Sequence, residues 1–256
     1  METIRLGQIA LSFHRASAAY VSNILYHYGY KVSVKEAPHE AAFELLKNNE
    51  IDLLVSAWLP GSHGKYLASF EEDVIKLGTI YSPYCIWGVP EYMDASIING
   101  VDDLRKPEIT SIIDKNIFCI NPGAGISRFS LEIIQQYKLN ELGYTLTHLT
   151  EDEYFAYIEK SLEQKKQFVI PFWHPQFLHY KYQFRELKEP IGLLRSKDEA
   201  TLLLRKDSLS KFDHQTVAML KNIYLGNEQI SALDYLLHIK KMNIGQALLY
   251  IKQNQS

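Results

Sequence analysis

Hydrophobic and polar positions change period repeatedly along the first sixty residues. Ile4 to Ala10 is a short apolar run that predicts a buried strand. Ser12 to Ala16 is polar and reads as a turn. Val21, Ile24, Leu25 and Tyr28 then recur at helical spacing until Gly29 stops the helix. Lys31 to Lys35 alternates as a strand does, with Val32 and Val34 on one face, and Ala41 to Lys47 has the pattern of a short amphipathic helix. Ile51 to Ser56, IDLLVS, is a near-continuous apolar strand. The order β-α-β-α-β implies parallel strands joined by right-handed crossovers.

A second α/β unit follows. Strands are predicted over Tyr84–Val89, Asn116–Ile120, Tyr144–Leu149 and Phe168–Phe172, and a helix start within Ile97–Leu104. Helices are predicted from about Ser127 to Tyr137 and from Glu151 to Gln164. From about Asp207 to Gln253 the pattern is almost all helical, with Val217, Leu220, Ile223 and Tyr224, then Leu233, Leu236 and Leu237, at helix spacing. No repeat or Gly/Ser linker separates the units, so short ordered segments must join them. Thr79–Pro83 and Glu189–Leu193 are the candidates, and two such crossings suit hinge closure around a ligand.

Composition narrows the function. With 46% hydrophobic and 22% charged residues, the chain of 256 can bury a core, and a net charge of -3 with scattered Lys and Arg offers no basic patch for nucleic acid. Cys85 and Cys119 are the two cysteines. They lie in apolar stretches without zinc spacing, and whether they are bridged is open at this stage. No apolar run reaches the roughly 18 residues of a membrane span. No basic, apolar leader precedes the first strand. Catalytic arrangements are absent as well: there is no GxSxG elbow, no HExxH and no activated cysteine setting. The acidic run Glu151-Asp152-Glu153 is explained by the helix dipole. His174 and His179 are five apart, which does not place two metal ligands on one helical face. No catalytic residue, metal or cofactor is therefore expected.

Three segments carry more. Ala57-Trp58-Leu59-Pro60-Gly61-Ser62-His63, Asn121-Pro122-Gly123-Ala124-Gly125-Ile126 and Phe172-Trp173-His174-Pro175-Gln176-Phe177 each follow a predicted strand. In open α/β sheets, ligands bind beyond the carboxyl ends of strands. An indole face attracts a ligand cation by about 0.5–2 kcal/mol, more when desolvated, so Trp58 and Trp173 are candidates to hold a methylated ammonium. Ordinary core packing is the competing explanation for both. The glycine turn Gly123-Ala124-Gly125 could present backbone N–H groups to a carboxylate or phosphate, or be a plain strand-to-helix turn. It matches neither the Walker nor the dinucleotide pattern. His63 on its own reads equally as a structural histidine.

Taken in order, these segments resemble the glycine betaine, proline betaine, choline and carnitine substrate-binding proteins of ABC importers. Trp58-Leu59-Pro60 with His63 is similar to the family's W-x-P-x-x-H. Val89-Pro90-Glu91-Tyr92 and Val101-Asp102-Asp103-Leu104 resemble its VPxY and I-x-D-L segments. Pro122-Gly123-Ala124-Gly125-Ile126 matches P-G-A-G-I, and Trp173-x-Pro175, Tyr182 and Pro190 resemble the closing run. The resemblance spans about Ile4 to Ile251. It implies an α/β, two-lobed type II periplasmic-binding-protein fold with a hinge of two crossover segments and a helical C-terminal tail. The lobes are expected at 1–82 with 191–256, and at 83–190.

The same resemblance implies a small quaternary-amine zwitterion boxed by Trp58 and Trp173. Its carboxylate would be held by the backbone of Gly125 and Ile126 and by His63. Phe13, in the loop Leu11-Ser12-Phe13-His14, stands where the family places a third box aromatic, and Gln176-Phe177 stands where His-Trp is usual. Phe177 is thus a further candidate. Expected partners are the ligand and the importer's membrane subunits, with no nucleic acid, and the receptor is expected to be a monomer. Its expected place is extracytoplasmic, periplasmic or membrane-anchored, with the export segment trimmed from this chain. A natural start at Met1 would point instead to a cytosolic sensor. An unmethylated zwitterion as ligand, or an enzyme built on the same fold, are the remaining alternatives.

Overall fold

The computed structural model describes residues 3–254. Met1, and with it the expectation about a natural start, lies outside the described residues, as do the outermost residues of the expected first lobe. In chain order the elements are β1 (Thr3–Ile9), α1 (Ser12–His27), β2 (Lys31–Ala37), α2 (His39–Lys47), β3 (Leu53–Leu59), α3 (Gly64–Leu67), β4 (Val74–Thr79) and β5 (Tyr84–Pro90). They continue with α4 (Pro107–Thr110), β6 (Asn116–Cys119), α5 (Gly125–Gln136), β7 (Thr145–His148), α6 (Glu151–Glu163), β8 (Ile170–His174), α7 (Leu178–Lys181) and β9 (Phe184–Glu186). The chain closes with β10 (Glu199–Arg205), α8 (His214–Lys221), α9 (Asn227–Asp234) and α10 (Ile244–Gln253).

The chain divides into two compact units. The first comprises Met1–Pro83, Pro175–Tyr180 and Lys197–Ser256, and the second Tyr84–His174 and Lys181–Ser196. The short segment 175–180, which carries Phe177, groups with the first unit.

Unit 1 is built on a five-stranded sheet of order β2-β1-β3-β10-β4. β1 runs parallel to β2 and β3, as the β-α-β-α-β pattern requires. The sequence pattern did not reveal β10, which lies antiparallel between β3 and β4. Its run Ala200-Thr201-Leu202-Leu203-Leu204 is buried throughout and so lacks the alternation that marks a half-exposed strand. β4 was also missed, and so was the short β9. β2 lies at the sheet edge, and Val34 is largely exposed, so the alternation there marks no core face.

One expectation is overturned at the start of the first helix. Ser12–Ala16 is the opening of α1, not a turn. Ser12 and His14, and Ser17 just beyond them, are buried and occupied: Ser12 Oγ donates to Asp234, Ser17 Oγ donates to the Phe13 carbonyl, and His14 is paired with Ser56. Polar side chains gathered around a buried cluster imitate the composition of a turn.

Where β3 meets β10 the register slips: Ala57 pairs with Thr201 and Leu54 with Leu203. Val55 and Ser56 thus face the single residue Leu202, which is a bulge. Ser56 takes a φ of 67°, in the left-handed region that a serine rarely adopts. Gly78 serves packing: a Cβ there would sit 2.4 Å from the Leu220 carbonyl oxygen, so only glycine lets β4 approach α8 this closely.

In unit 2, β5 pairs antiparallel with both β8 and β9, and β6 pairs parallel with β7. α6 opens on a capping box, with Thr150 and Glu153 each satisfying a backbone N–H of the other. The third tryptophan, Trp87, is fully buried and donates its indole N–H to Ser130 Oγ at 2.8 Å, so it belongs to the core. Cys85 and Cys119 are buried and form no disulfide, which closes the question of a bridge. No described helix is long and apolar enough to cross a membrane.

Candidate functional site

Unit 1 gathers its candidate residues where β1 and β3 end. β3 delivers Trp58, the following loop delivers His63, and the first turn of α1 delivers Phe13 and His14. The Phe13 and Trp58 rings are 5.2 Å apart, and the His63 ring stacks beside Trp58 at 6.2 Å. Trp58 is 5% exposed, Phe13 1% and His63 1%.

The loop Trp58–His63 is held from several sides. The His63 backbone N–H donates to the Trp58 carbonyl, and the Trp58 N–H donates back to His63 Nδ1 at 2.9 Å. The N–H groups of Gly61 and Ser62 donate to the two carboxylate oxygens of Asp198, at 2.6 and 3.0 Å. These bonds hold the loop and, with it, the placement of Trp58 and His63.

A polar chain runs beneath the rings. Trp58 Nε1 donates to the Tyr81 hydroxyl at 2.9 Å, Tyr81 bonds Ser56 Oγ, and Ser56 Oγ meets His14 Nδ1 at 2.8 Å. The bulge at Val55–Ser56 re-aims the Ser56 hydroxyl into this chain. Burial pushes the Tyr81 phenol up to about 12 despite hydrogen bonds from Ser56, Trp58 and Ser17, so it stays neutral. Burial, followed by the neighbouring His39 and Arg15, holds the His14 imidazole well below its ordinary value. His39, at the start of α2, completes a group of three buried histidines with His14 and His63.

Phe177 lies in the same unit, with its ring 5.5 Å from that of His238. Its backbone N–H donates to Asp234 Oδ2 at 3.0 Å, the oxygen that also accepts from Ser12 Oγ at 3.2 Å. Asp234 therefore ties the 175–180 segment to the residue preceding Phe13.

Unit 2 carries the other candidates. Trp173, at the end of β8, is 1% exposed and stacks on Tyr154 with centroids 6.1 Å apart. Gly125 and Ile126 are the first two residues of α5, after an Ala124 cap that has no side-chain acceptor. The first N–H groups of an α-helix have no partner within the helix and sit at the positive end of its dipole. Ser127 Oγ donates to the Ile120 carbonyl at 2.9 Å and pins the turn to the end of β6.

Sequence reasoning missed Ser56, Tyr81, His39, Asp198 and Asp234. None lies in the strand-end segments, and their roles depend on the bulge, on α2 and on the unpredicted neighbourhood of β10. His14 was in view only as the neighbour of Phe13.

A family model for the substrate-binding domain of ABC-type glycine betaine transport systems matches residues 2–248. Among solved structures, the chain is similar to lactococcal OpuAC in its closed-liganded conformation with glycine betaine. Identity there is 22% and the TM-score 0.84, with 100% of this chain and 97% of that one covered. It is similar to the glycine betaine/L-proline-binding protein ProX of Borrelia burgdorferi, at 18% identity and TM-score 0.83, covering 99% and 94%. An ABC-transporter choline-binding protein in complex with choline matches at 16% identity and TM-score 0.80, covering 98% and 88%. These identities carry the fold, an α/β protein with two sheet-bearing lobes of the type II periplasmic-binding-protein architecture.

Proposed function

The chain belongs to the family of substrate-binding domains of ABC-type glycine betaine transport systems, and from that premise we propose that it captures a small zwitterion bearing a methylated ammonium and a carboxylate. The observation that carries this reading is the preset Trp58–Phe13 pair, with His63 fixed beside it. A quaternary ammonium has no N–H to donate, so ring faces in a site shielded from water are what can recognise it. Trp173 on Tyr154 offers a second aromatic platform, and the Gly125 and Ile126 N–H groups offer donors for a carboxylate. The chain's role is capture and delivery to the importer's membrane subunits, on the outer side of the membrane, and as a monomer.

A thermal-shift screen against glycine betaine, proline betaine, choline, carnitine and the proteinogenic amino acids tests the proposal. A ligand at about 100 times its Kd adds about 2.7 kcal/mol of stability. A raised Tm with methylated ammonium compounds alone supports the reading. A rise with an unmethylated amino acid alone removes it.

A further inference from the structure

Gly78 lets β4 touch α8 at the carbonyls of Leu220 and Lys221. Beside that contact, unit 1 holds a groove of about 680 Å³. Sites for small molecules span roughly 300–1,000 Å³ and are lined mainly by apolar side chains with a few polar groups. The floor of this groove is apolar. Ile75 and Leu77, two apart on β4 and so on one face of the strand, line it together with Val217 from α8. Leu209 and Phe212, from the segment between β10 and α8, complete it. The Phe212 ring is set by its contact with Tyr30, with centroids 5.6 Å apart. Leu209 is exposed, and Ile75, Leu77 and Val217 are half-buried, so much of this apolar floor stays open to solvent.

The rim carries one sign of unneutralised charge. Lys206, just after β10, and Lys221, at the end of α8, both line the groove. Neither ammonium has an ion-pair or hydrogen-bond partner among the described residues. Asp207 is the acidic group at the same rim, and Arg205 occupies both of its oxygens, at 2.8 and 2.7 Å. Ser210 and His214 add polar groups that can donate to an anion. An apolar floor under free cations suits a guest with an apolar body and an anionic end. A small inorganic anion would leave the floor unused, and a cationic guest would meet two like charges.

We propose that this groove binds a single-chain anionic amphiphile, of the class of a medium-chain carboxylate, with the alkyl chain on the apolar floor and the carboxylate at Lys206 and Lys221. The groove stands apart from the aromatic site. Ile75 pairs with Leu204 and Leu204 with Leu53, whereas Trp58 pairs with Ala200. The step from Leu53 to Trp58 along β3 is about 17 Å at roughly 3.3 Å per residue. The amphiphile site therefore does not rest on the function proposed above, and either can fail alone.

The test is methyl NMR on the labelled chain, titrated with sodium decanoate below its micellar range. Butyrate, which lacks the chain, and decylammonium, which reverses the charge, are the comparison probes. Decanoate is expected to shift the methyl signals of Leu77, Leu209 and Val217, and the other two probes to bind at least about tenfold more weakly. Lys206→Gln combined with Lys221→Gln should weaken decanoate by about the same factor while leaving Tm within a few degrees, because both side chains are exposed. Glycine betaine should not displace decanoate. Decylammonium binding as tightly as decanoate, or unchanged decanoate affinity in the double variant, would overturn the anionic assignment. Butyrate binding as tightly would overturn the role of the floor. Unmoved signals at Leu77, Leu209 and Val217, or displacement of decanoate by glycine betaine, would overturn the site itself.

Discussion

Replacing Trp58 with leucine isolates the ring face from the rest of that side chain. Alanine would not, because Trp58 is 5% exposed and packs on Phe13, so emptying its site costs about 3–5 kcal/mol of stability. Leucine fills much of that volume and removes two things: the indole face and the Nε1–H bond to Tyr81. The lost bond costs about 0.5–1.5 kcal/mol in stability, since Tyr81 keeps its bond to Ser56. The lost face acts on the ligand. A cation held over an indole away from water sits at the upper end of the cation–π range, about 2 kcal/mol, which corresponds to roughly 30-fold in Kd. Trp58→Phe keeps an aromatic face and loses the same hydrogen bond, so it controls for Tyr81. Titration calorimetry with glycine betaine should rank Kd as wild type, then Trp58→Phe, then Trp58→Leu, with Tm confirming that each variant is folded. A Trp58→Leu variant that binds within twofold of wild type would refute the cage at this position.

Acid should destabilise the chain through Asp52, whose carboxylate is fully buried between Arg5 and Lys211. Burial pushes its carboxyl up, but hydrogen bonds from the side chains of Arg5 and Lys211, the Arg5 backbone and Ser208 outweigh that and hold it well below the usual carboxylate range. Its folded value is depressed, so its contribution is present above the unfolded value near 3.9 and is lost as pH falls below it. Asp52→Asn should cost about 2–3 kcal/mol at pH 7 and flatten the decline in urea midpoint below about pH 4, and parallel pH profiles would contradict this. Gly78→Ala should cost about 1–3 kcal/mol of stability, read as a lowered urea midpoint, because its Cβ would press on the backbone carbonyls of Leu220 and Lys221. An unchanged midpoint would mean that α8 yields freely. Ser56→Ala leaves His14 and Tyr81 without their shared hydroxyl and should cost about 1–3 kcal/mol by the same measurement.

What the sequence made legible follows from how each element is buried. β1, β2 and β3 were readable because apolar runs alternated with helical periods. β10 was not, because its short apolar run carries no period that tells a strand from a helix segment, and no helical pattern stands directly before it to mark a crossover. The strand-end motifs brought Trp58, His63, Gly125, Ile126 and Trp173 into view through their residue types and order. Ser56, Tyr81 and Asp234 have no such signature. Their placement depends on a register slip, on the end of β4 and on the last residue of α9, all set by contacts between segments distant in the chain. Ser12 and His14 were misread for a related reason: polar residues facing a buried cluster look like a surface turn until their partners are known.

The central claim is that aromatic faces recognise a methylated ammonium, and one calorimetric series tests it directly. Glycine, sarcosine, dimethylglycine and glycine betaine share a carboxylate and differ by one methyl at each step. Each methyl replaces an N–H that ring faces cannot satisfy and adds apolar surface to be buried. Affinity for the wild-type chain is expected to climb along the series, with glycine betaine tightest. Affinity that falls with methylation, so that glycine binds best, would contradict the account.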